Sequence, residues 1–333
     1  MKFHNECAAA PLYFWLSHVT VACAADAGYA LPLAVMLSSA SSHIAAGSGV
    51  DAYVLDDGIT AEGKSKLAAS LPSNVRLHWR QAPPLKGFPL WGRMSPTTYQ
   101  KLKLSDWIPE SLSRVIWLDC DLLVLDDLSI MWRQDLNGRI ALAAQDQRVP
   151  LVSSRFGVAG WRDLGLPPGT KYFNAGVMLI DLDKWRAHNV GDEALKYLES
   201  YRNRVYFWDQ EALNAALADN WDELDMRWNW HPALDQLNGL PSQSPPRPSI
   251  VHFNGNLKPW TFAGSGRYRT LYRRYLDRTA WAGTRPARKW TDGIVERYEV
   301  SSLRRLFYPA EQWSTIALRT LTRKKSGDSV NVE

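Results

Sequence analysis

The chain has 333 residues, 46% of them apolar and 22% charged, which leaves room for one large α/β domain or two smaller ones with an ordinary core and is too apolar for wholesale disorder. No apolar run approaches the ~20 residues of a bilayer-spanning helix, and three cysteines (Cys7, Cys23 and Cys120) lack the number and spacing of a disulfide framework or a zinc site, which points to a reducing, cytoplasmic setting. The net charge of +5 is unevenly placed: residues 263–333 hold 15 Lys/Arg against 7 Asp/Glu, the first 262 hold 24 against 27.

A basic tail on a mildly acidic body suits an anionic surface. No nucleic-acid module accompanies it, so the expectation is peripheral association with the inner face of a membrane and no nucleic-acid partner. Ser301 to Lys325 supplies the aromatic, aliphatic and basic residues of an interfacial helix, split by Pro309. The same stretch reads equally as a solvated tail.

At the N-terminus, Ala8 to Leu16 is apolar, Lys2 precedes it and Ala22-Cys23-Ala24 follows, which is the outline of a signal peptide. His18 interrupts the run and Lys2 is the only basic residue ahead of it. Residues 1–18 therefore read as an extension and Val19–Ala24 as a first buried strand. A helix over Tyr29 to His43, a strand at Val50–Leu55 closed by the turn signal Asp56-Asp57-Gly58, a helix from Thr60 to Leu71 and a strand at Val75–Trp79 follow. Thr97 to Trp107 reads as helix and Val115–Leu118 as a strand buried on both faces. Ile140–Ala144 and Ala175–Ile180 are strands around a Gly/Pro-rich stretch. Helices are predicted over Asp183–Tyr201 and Asp209–Ala218, a loop over Leu240–Pro248 and a strand at Ile250–Phe253. The alternation predicts a mostly parallel sheet flanked by helices.

Open parallel sheets bind ligands beyond the carboxyl ends of their strands. Asp26, Asp56 with Asp57, and Asp119 with Asp121 all fall at such ends. Asp119-Cys120-Asp121 places two carboxylates two residues apart, a pattern suited to a hard divalent ion with positions left for phosphate oxygens. Alone it reads equally as turn carboxylates. The second such pattern, Asp181-Leu182-Asp183, reads as a helix start with Asp183 as the N-cap. His252 ends a strand, Gly255 permits a turn and Lys258 follows; together the imidazole suits a metal and the ammonium a diphosphate, while by itself His252 reads more readily as a satisfied structural histidine. Trp91, Trp161 and Trp260 suit stacking on a sugar ring, while most of the 16 tryptophans read as core anchors. Trp228-Asn229-Trp230 reads as a structural turn, and Cys120 as a small buried filler.

Taken in order, Ala24-Ala25-Asp26 with Tyr29, Val54-Leu55-Asp56, Thr97-Thr98-Tyr99 with Leu102-Lys103-Leu104, Leu118-Asp119-Cys120-Asp121, Phe173-Asn174-Ala175-Gly176, Asp209-Gln210 and His252-x-x-Gly255-x-x-Lys258-Pro259-Trp260 resemble family 8 of the retaining glycosyltransferases. The resemblance spans about Val19 to Trp260. It implies a GT-A, Rossmann-like domain over 19–262 followed by a basic helical region over 263–333. It also implies a manganese (or magnesium) ion held by Asp119, Asp121 and His252 and bridging the phosphates of a UDP-sugar, UDP-galactose or UDP-glucose, with a glycan or glycolipid of lipopolysaccharide type as acceptor. By the same resemblance Asp26 and Tyr29 lie on the nucleoside side, Lys258 pairs with the diphosphate, Asn174, Asp209 and Gln210 lie around the donor sugar, Lys101 meets the donor phosphate or the donor sugar, and Ala25, Cys120, Ala175 and Gly255 complete the nucleotide-sugar-binding set. Asn174, Asp209 and Gln210 are the catalytic candidates, with Gln210 on the sugar face opposite the leaving group. Glutamine is a poor nucleophile, so a front-face return is as compatible as a covalent intermediate. Two positions depart from the family pattern. Gly28 stands where asparagine is common, and Lys101 replaces an arginine, keeping the charge and losing the planar fork.

Val115 to Val124 also resembles the first motif of haloacid-dehalogenase phosphohydrolases, which would make Asp119 a nucleophile. A nucleotide-sugar-binding module without catalysis is the non-enzymatic alternative. No GxGxxG or P-loop is present.

Overall fold

The computed structural model describes residues 18–83, 85, 87–88, 95–232, 247–255, 258–261 and 267–286. Strands β1 (His18–Asp26), β2 (Gly49–Asp57), β3 (Val75–Gln81), β4 (Arg114–Leu118), β6 (Ala141–Gln145), β7 (Phe173–Asp181) and β8 (Trp221–Glu223) form one sheet in the order β3-β2-β1-β4-β7-β6-β8. β5 (Leu122–Val124) and β9 (Ile250–His252) pair as a separate antiparallel ribbon. The main sheet is mostly parallel, as its alternation of strands and helices predicts. Only β7 runs against its neighbours, β4 and β6.

That one reversal decides where the site forms. β1, β2 and β4 are parallel and end on the same edge. Because β7 runs the other way, its beginning arrives at that edge: Leu118 lies opposite Val177, and the Asp119 amide donates to the Gly176 carbonyl at 2.9 Å. Side chains of β4 alternate between the two faces of the sheet, Val115 and Trp117 in one buried cluster, Ile116 and Leu118 in the other. Burial on both faces is why the strand reads as an uninterrupted apolar run.

Helices α1 (Ala30–His43) and α2 (Ala61–Ala69) make the first crossovers. The helix expected over Thr97–Trp107 is instead a 3-10 helix, Pro96–Lys103, continuing into the short α3 (Leu104–Trp107). Three residues per turn stack side chains at i and i+3 in line, and Thr98 and Lys101 both reach Asp209. α4 (Leu128–Trp132) follows β5. The helix expected over Asp183–Tyr201 is two, α5 (Leu182–Ala187) and α6 (Val190–Ser200), broken at Asn189, whose φ of 49° is a left-handed value that asparagine tolerates. The cap of α5 is Asp181, accepting from the Lys184 amide at 3.0 Å, not Asp183. α7 (Trp208–Ala216) carries Asp209 and Gln210 in its first turn. Strands β5 and β8, three residues each, are absent from the sequence reading.

Beyond Phe262, α8 (Arg267–Leu276) lies against the domain, with Tyr272 packed on Phe253 and Trp260, and the Tyr275 hydroxyl 3.4 Å from His43 Nε2. The N-terminal extension to residue 17, Trp91, most of the Leu240–Pro248 loop and the Ser301–Lys325 tail lie outside the described residues. Among the described residues, no helix is long and apolar enough to cross a membrane.

Candidate active site

The β5–β9 ribbon closes the site. Its register puts Leu122 opposite His252, and the Phe253 amide donates to the Asp121 carbonyl at 3.0 Å. Asp121 and His252, 131 positions apart in sequence, are thereby side by side, with His252 Nε2 3.4 Å from Asp121 Oδ1. Gly176 makes room for the ring: a Cβ there would sit 2.2 Å from His252 Cε1. Asp119, Asp121 and His252 each offer a ligand atom, all within 4.8 Å of one another.

The surroundings favour a cation. Asp119, Asp121, Asp146 and Asp209 share this edge, answered chiefly by Lys101 and Lys258. Asp121 is buried, which alone would raise its pKa; the adjacent Lys258 ammonium and the His252 ring together outweigh burial and hold the carboxyl well below the usual carboxylate range. Lys258 also donates to the Phe253 carbonyl at 2.9 Å. Two carboxylates and an imidazole are a donor set for Mn²⁺ or Mg²⁺, oxygen-rich and borderline at nitrogen. The residues fit the metal implied by the family resemblance.

Asp119 is half-exposed and anchored through Oδ1, which accepts from the Trp117 indole at 2.8 Å and lies 3.2 Å from Lys101 Nζ. Lys101 is buried between Asp119 and Asp209, 2.8 Å from the latter's Oδ2. Burial opposes its charge, but two carboxylates within hydrogen-bond reach more than compensate, and its pKa is raised. Asp209 also accepts from the Thr98 hydroxyl at 2.6 Å. Cys120 turns into the core and donates to the Ala24 carbonyl at 3.2 Å, so only its backbone faces the edge.

Asn174 and Gln210 meet at Asp146. The Asp146 Oδ2 accepts from Asn174 Nδ2 at 3.0 Å and from Gln210 Nε2 at 3.2 Å, while Oδ1 accepts from the Arg148 and Val149 amides. Burial works against the Asp146 charge; Arg148 and these hydrogen bonds prevail, and its pKa is lowered. The Ala175 amide donates to Gln210 Oε1 at 3.3 Å. Asn229 bridges Asn174 and His252. Sequence reasoning missed Asp146 and Asn229; the available signal was an Asp just past a strand end, at β6, the same criterion that found Asp26 and Asp119.

At the far side of the edge, Asp26 caps the turn Ala27–Tyr29 by accepting from the Gly28 amide at 2.9 Å. Ala25 pairs in register with Asp56. Tyr29 is packed edge-on against Trp260 at 5.8 Å, and burial pushes its phenol pKa up. Trp260 is thus held between Tyr29 and Tyr272. Trp161 is covered on one face by Arg162, 4.2 Å from the ring. Asp56 does not line the site: it accepts from the Ile59 and Gly58 amides and pairs with Lys64. Gly255, at φ 104°, makes the turn between His252 and Lys258.

A mostly parallel sheet with an Asp-x-Asp pair and a returning histidine at its carboxyl edge defines a GT-A glycosyltransferase. The chain belongs to glycosyl transferase family 8, whose family model matches residues 20–264. Its fold is similar to that of galactosyltransferase LgtC solved with donor and acceptor sugar analogues, with a TM-score of 0.68 and 28% identity over 78% of this chain and 95% of that one. It is 30% identical to General stress protein A of Bacillus subtilis (strain 168), over 78% of this chain and 93% of the relative. It is 33% identical to Probable galacturonosyltransferase-like 3 of Arabidopsis thaliana, over 52% of each chain. The phosphohydrolase reading of Val115 to Val124 is set aside by this membership.

Proposed function

We propose that the protein is a divalent-metal-dependent, retaining hexosyltransferase that moves galactose or glucose from a UDP-sugar to a glycan or glycolipid acceptor. The observation that carries this reading is the meeting of Asp119, Asp121 and His252 at the strand edge where Asn174, Asp209 and Gln210 also converge. Those three ligands would hold Mn²⁺ or Mg²⁺, and a bound ion would supply Lewis-acid stabilisation of a departing diphosphate, worth several kcal/mol.

The chain's own groups do the rest. Asp26, Tyr29 and the backbone at Ala25 bound the nucleoside side. Lys258, beside Asp121 before substrate arrives, is placed to share its charge with a diphosphate, together with the backbone at Cys120 and Gly255. On the sugar side Lys101 fixes Asp209, and Asp146 fixes Asn174 and Gln210, so these polar groups are pre-oriented and need no rearrangement as charge develops on the sugar. With its amide arms engaged by Ala175 and Asp146, Gln210 presents a held carbonyl oxygen, which suits stabilising a cationic sugar better than attacking it.

A panel of UDP-sugars incubated with the full chain and Mn²⁺ tests this. UDP-galactose or UDP-glucose should be hydrolysed slowly without acceptor, and a chelator should stop the reaction. Absence of metal-dependent release from every UDP-hexose would overturn the proposal; preference for UDP-galacturonic acid would move the donor toward that of the plant relatives' name.

A further inference from the structure

We propose that Asn229 is a positioning residue. It sets the tautomer of His252 and ties that ring to the sugar-side amides through one directed chain of hydrogen bonds, His252–Asn229–Asn174–Asp146–Gln210. The inference rests on the reading of His252 as a metal ligand.

Every link has its direction fixed by groups with no choice of role. A backbone N–H can only donate. The Gly176 amide lies 3.0 Å from one arm of the Asn174 side chain, so that arm is the oxygen. The other arm is then Nδ2, and it faces Asp146 Oδ2 at 3.0 Å, an acceptor as required. The Ala175 amide, 3.3 Å from one arm of Gln210, makes that arm Oε1 and sends Nε2 to the same Asp146 oxygen at 3.2 Å. The arm of Asn229 that meets Asn174 Oδ1 at 2.9 Å must donate, so it is Nδ2. Its remaining arm, Oδ1, accepts from His252 Nδ1 at 2.8 Å. Nδ1 therefore carries a proton, and whenever the ring is neutral Nε2 carries the lone pair. Reversing Asn229 would set two oxygens 2.9 Å apart and lose its bond to Asn174 Oδ1.

Four of these five side chains are buried, and Gln210 is half-buried, so water has little access to relieve a wrong orientation. The lone pair on Nε2 faces Asp121 Oδ1 at 3.4 Å. In the neutral ring two electron-pair donors are then opposed in a buried place, an arrangement a divalent cation satisfies. A second partner holding the far ring nitrogen is the usual way a protein keeps a histidine ready as a ligand. The three residues Trp228-Asn229-Trp230 are thus more than a turn: Trp228 anchors the 3-10 turn Met226–Asn229 in the core, and Asn229 spans from there to both halves of the site.

The test is a long-range ¹H–¹⁵N correlation on the metal-free, full-length chain at pH ~8, above the ordinary imidazole range, with the His252 signals identified by their loss in His252→Gln. The expected ring is protonated at Nδ1. In Asn229→Ala that preference should be lost, and the Mn²⁺ dissociation constant should rise about 10- to 100-fold, the usual range for losing such a partner. Asn229→Asp separates the two functions. A carboxylate still accepts from Nδ1, so tautomer and Mn²⁺ affinity should stay near the parent's, while UDP-sugar hydrolysis falls because residue 229 no longer donates to Asn174 Oδ1. If Asn229→Ala does not fold, the Asp variant carries the test. A parent ring protonated at Nε2, an Ala variant unchanged in both tautomer and Mn²⁺ affinity, or an Asp variant with parental hydrolysis would each overturn the proposal. A parent with the Nδ1 proton but no Mn²⁺ binding would support the tautomer assignment and sink the metal reading instead.

Discussion

Asp119-Cys120-Asp121 and Asp181-Leu182-Asp183 share one pattern after the same kind of apolar strand, yet they stand at opposite edges of one sheet. β4 and β7 are antiparallel neighbours, with Arg114 opposite Asp181 and Leu118 opposite Val177. The first pair therefore leaves its strand toward Asn174, α7 and the returning His252. The second leaves toward the start of β4, where Asp181 caps α5 and Asp183 pairs with Arg186 in solvent. Strand direction, not the local pattern, decides which pair meets His252. Among the described residues, a group of three side chains able to hold a metal ion occurs at the first pair.

The contrast is sharpest in Asp121→Asn. The amide keeps the shape and removes one charge from the ligand set. If the ion supplies several kcal/mol to the departing diphosphate, metal-stimulated turnover should fall by at least ~10³-fold, since each 1.36 kcal/mol is tenfold. Turnover with and without Mn²⁺ measures it; retained stimulation would place the ion elsewhere.

Asp146→Asn should cost less, on the order of 10²-fold in kcat, the scale of a small misplacement of reacting groups. Its new NH₂ would face the NH₂ arms of Asn174 and Gln210. The carboxyl's depressed pKa adds a second readout. A carboxyl lowered in the folded state contributes stability that is present above its ordinary value of ~4 and lost as pH falls below it. The Asp146→Asn variant should therefore show a flatter loss of melting temperature on acidification than the parent. An identical acid limb would mean that Asp146 is not held ionised by its neighbours.

How much of this was visible in the sequence follows the same division. The parallel half reads well because each strand is a continuous apolar run and each site carboxylate comes directly after one. The site's other half depends on pairings that leave no local mark. β5 is three residues long and pairs with β9 more than a hundred residues later, so the contact of Asp121 with His252 came from the family resemblance alone. Asp146 sits in a Gln-Asp-Gln-Arg stretch that looks like a polar turn, which it also is: its Oδ1 holds that turn while its Oδ2 holds Asn174 and Gln210. The split between α5 and α6 was legible in principle, since His188-Asn189 offers a left-handed stop. The cap of α5 was misplaced by two residues because the last residue of β7 serves both strand and helix.

Lys258→Ala probes the same edge at smaller scale. With no substrate bound, its ammonium sits against Asp121 and competes with any cation there. Removing it should tighten Mn²⁺ binding to the UDP-free chain by about tenfold, or ~1.4 kcal/mol, well below the bare Coulomb value because the lysine is not fully buried. UDP binding should weaken in the same variant. Calorimetry with each ligand checks both signs, and a parallel weakening of Mn²⁺ would show that the lysine organises Asp121 and does not compete for it.

The smallest effect belongs to the second Asp-x-Asp. Asp181→Ala removes the acceptor for the Lys184 amide at the start of α5, and loss of such a cap costs about 1 kcal/mol. Denaturant unfolding should register that loss while metal-stimulated turnover and Mn²⁺ affinity stay at the parent's values. Asp183→Ala should cost still less, because its pairing with Arg186 is mostly in solvent. The order Asp181 before Asp183 is itself diagnostic: the sequence pattern alone assigns the cap to Asp183, whereas the φ,ψ of Asp181 and its bond to Lys184 assign it one residue before the helix begins. A greater loss of stability from Asp183→Ala would return the cap to the position the sequence suggests, and a fall in turnover from either variant would mean that this edge of the sheet reaches the chemistry at the other.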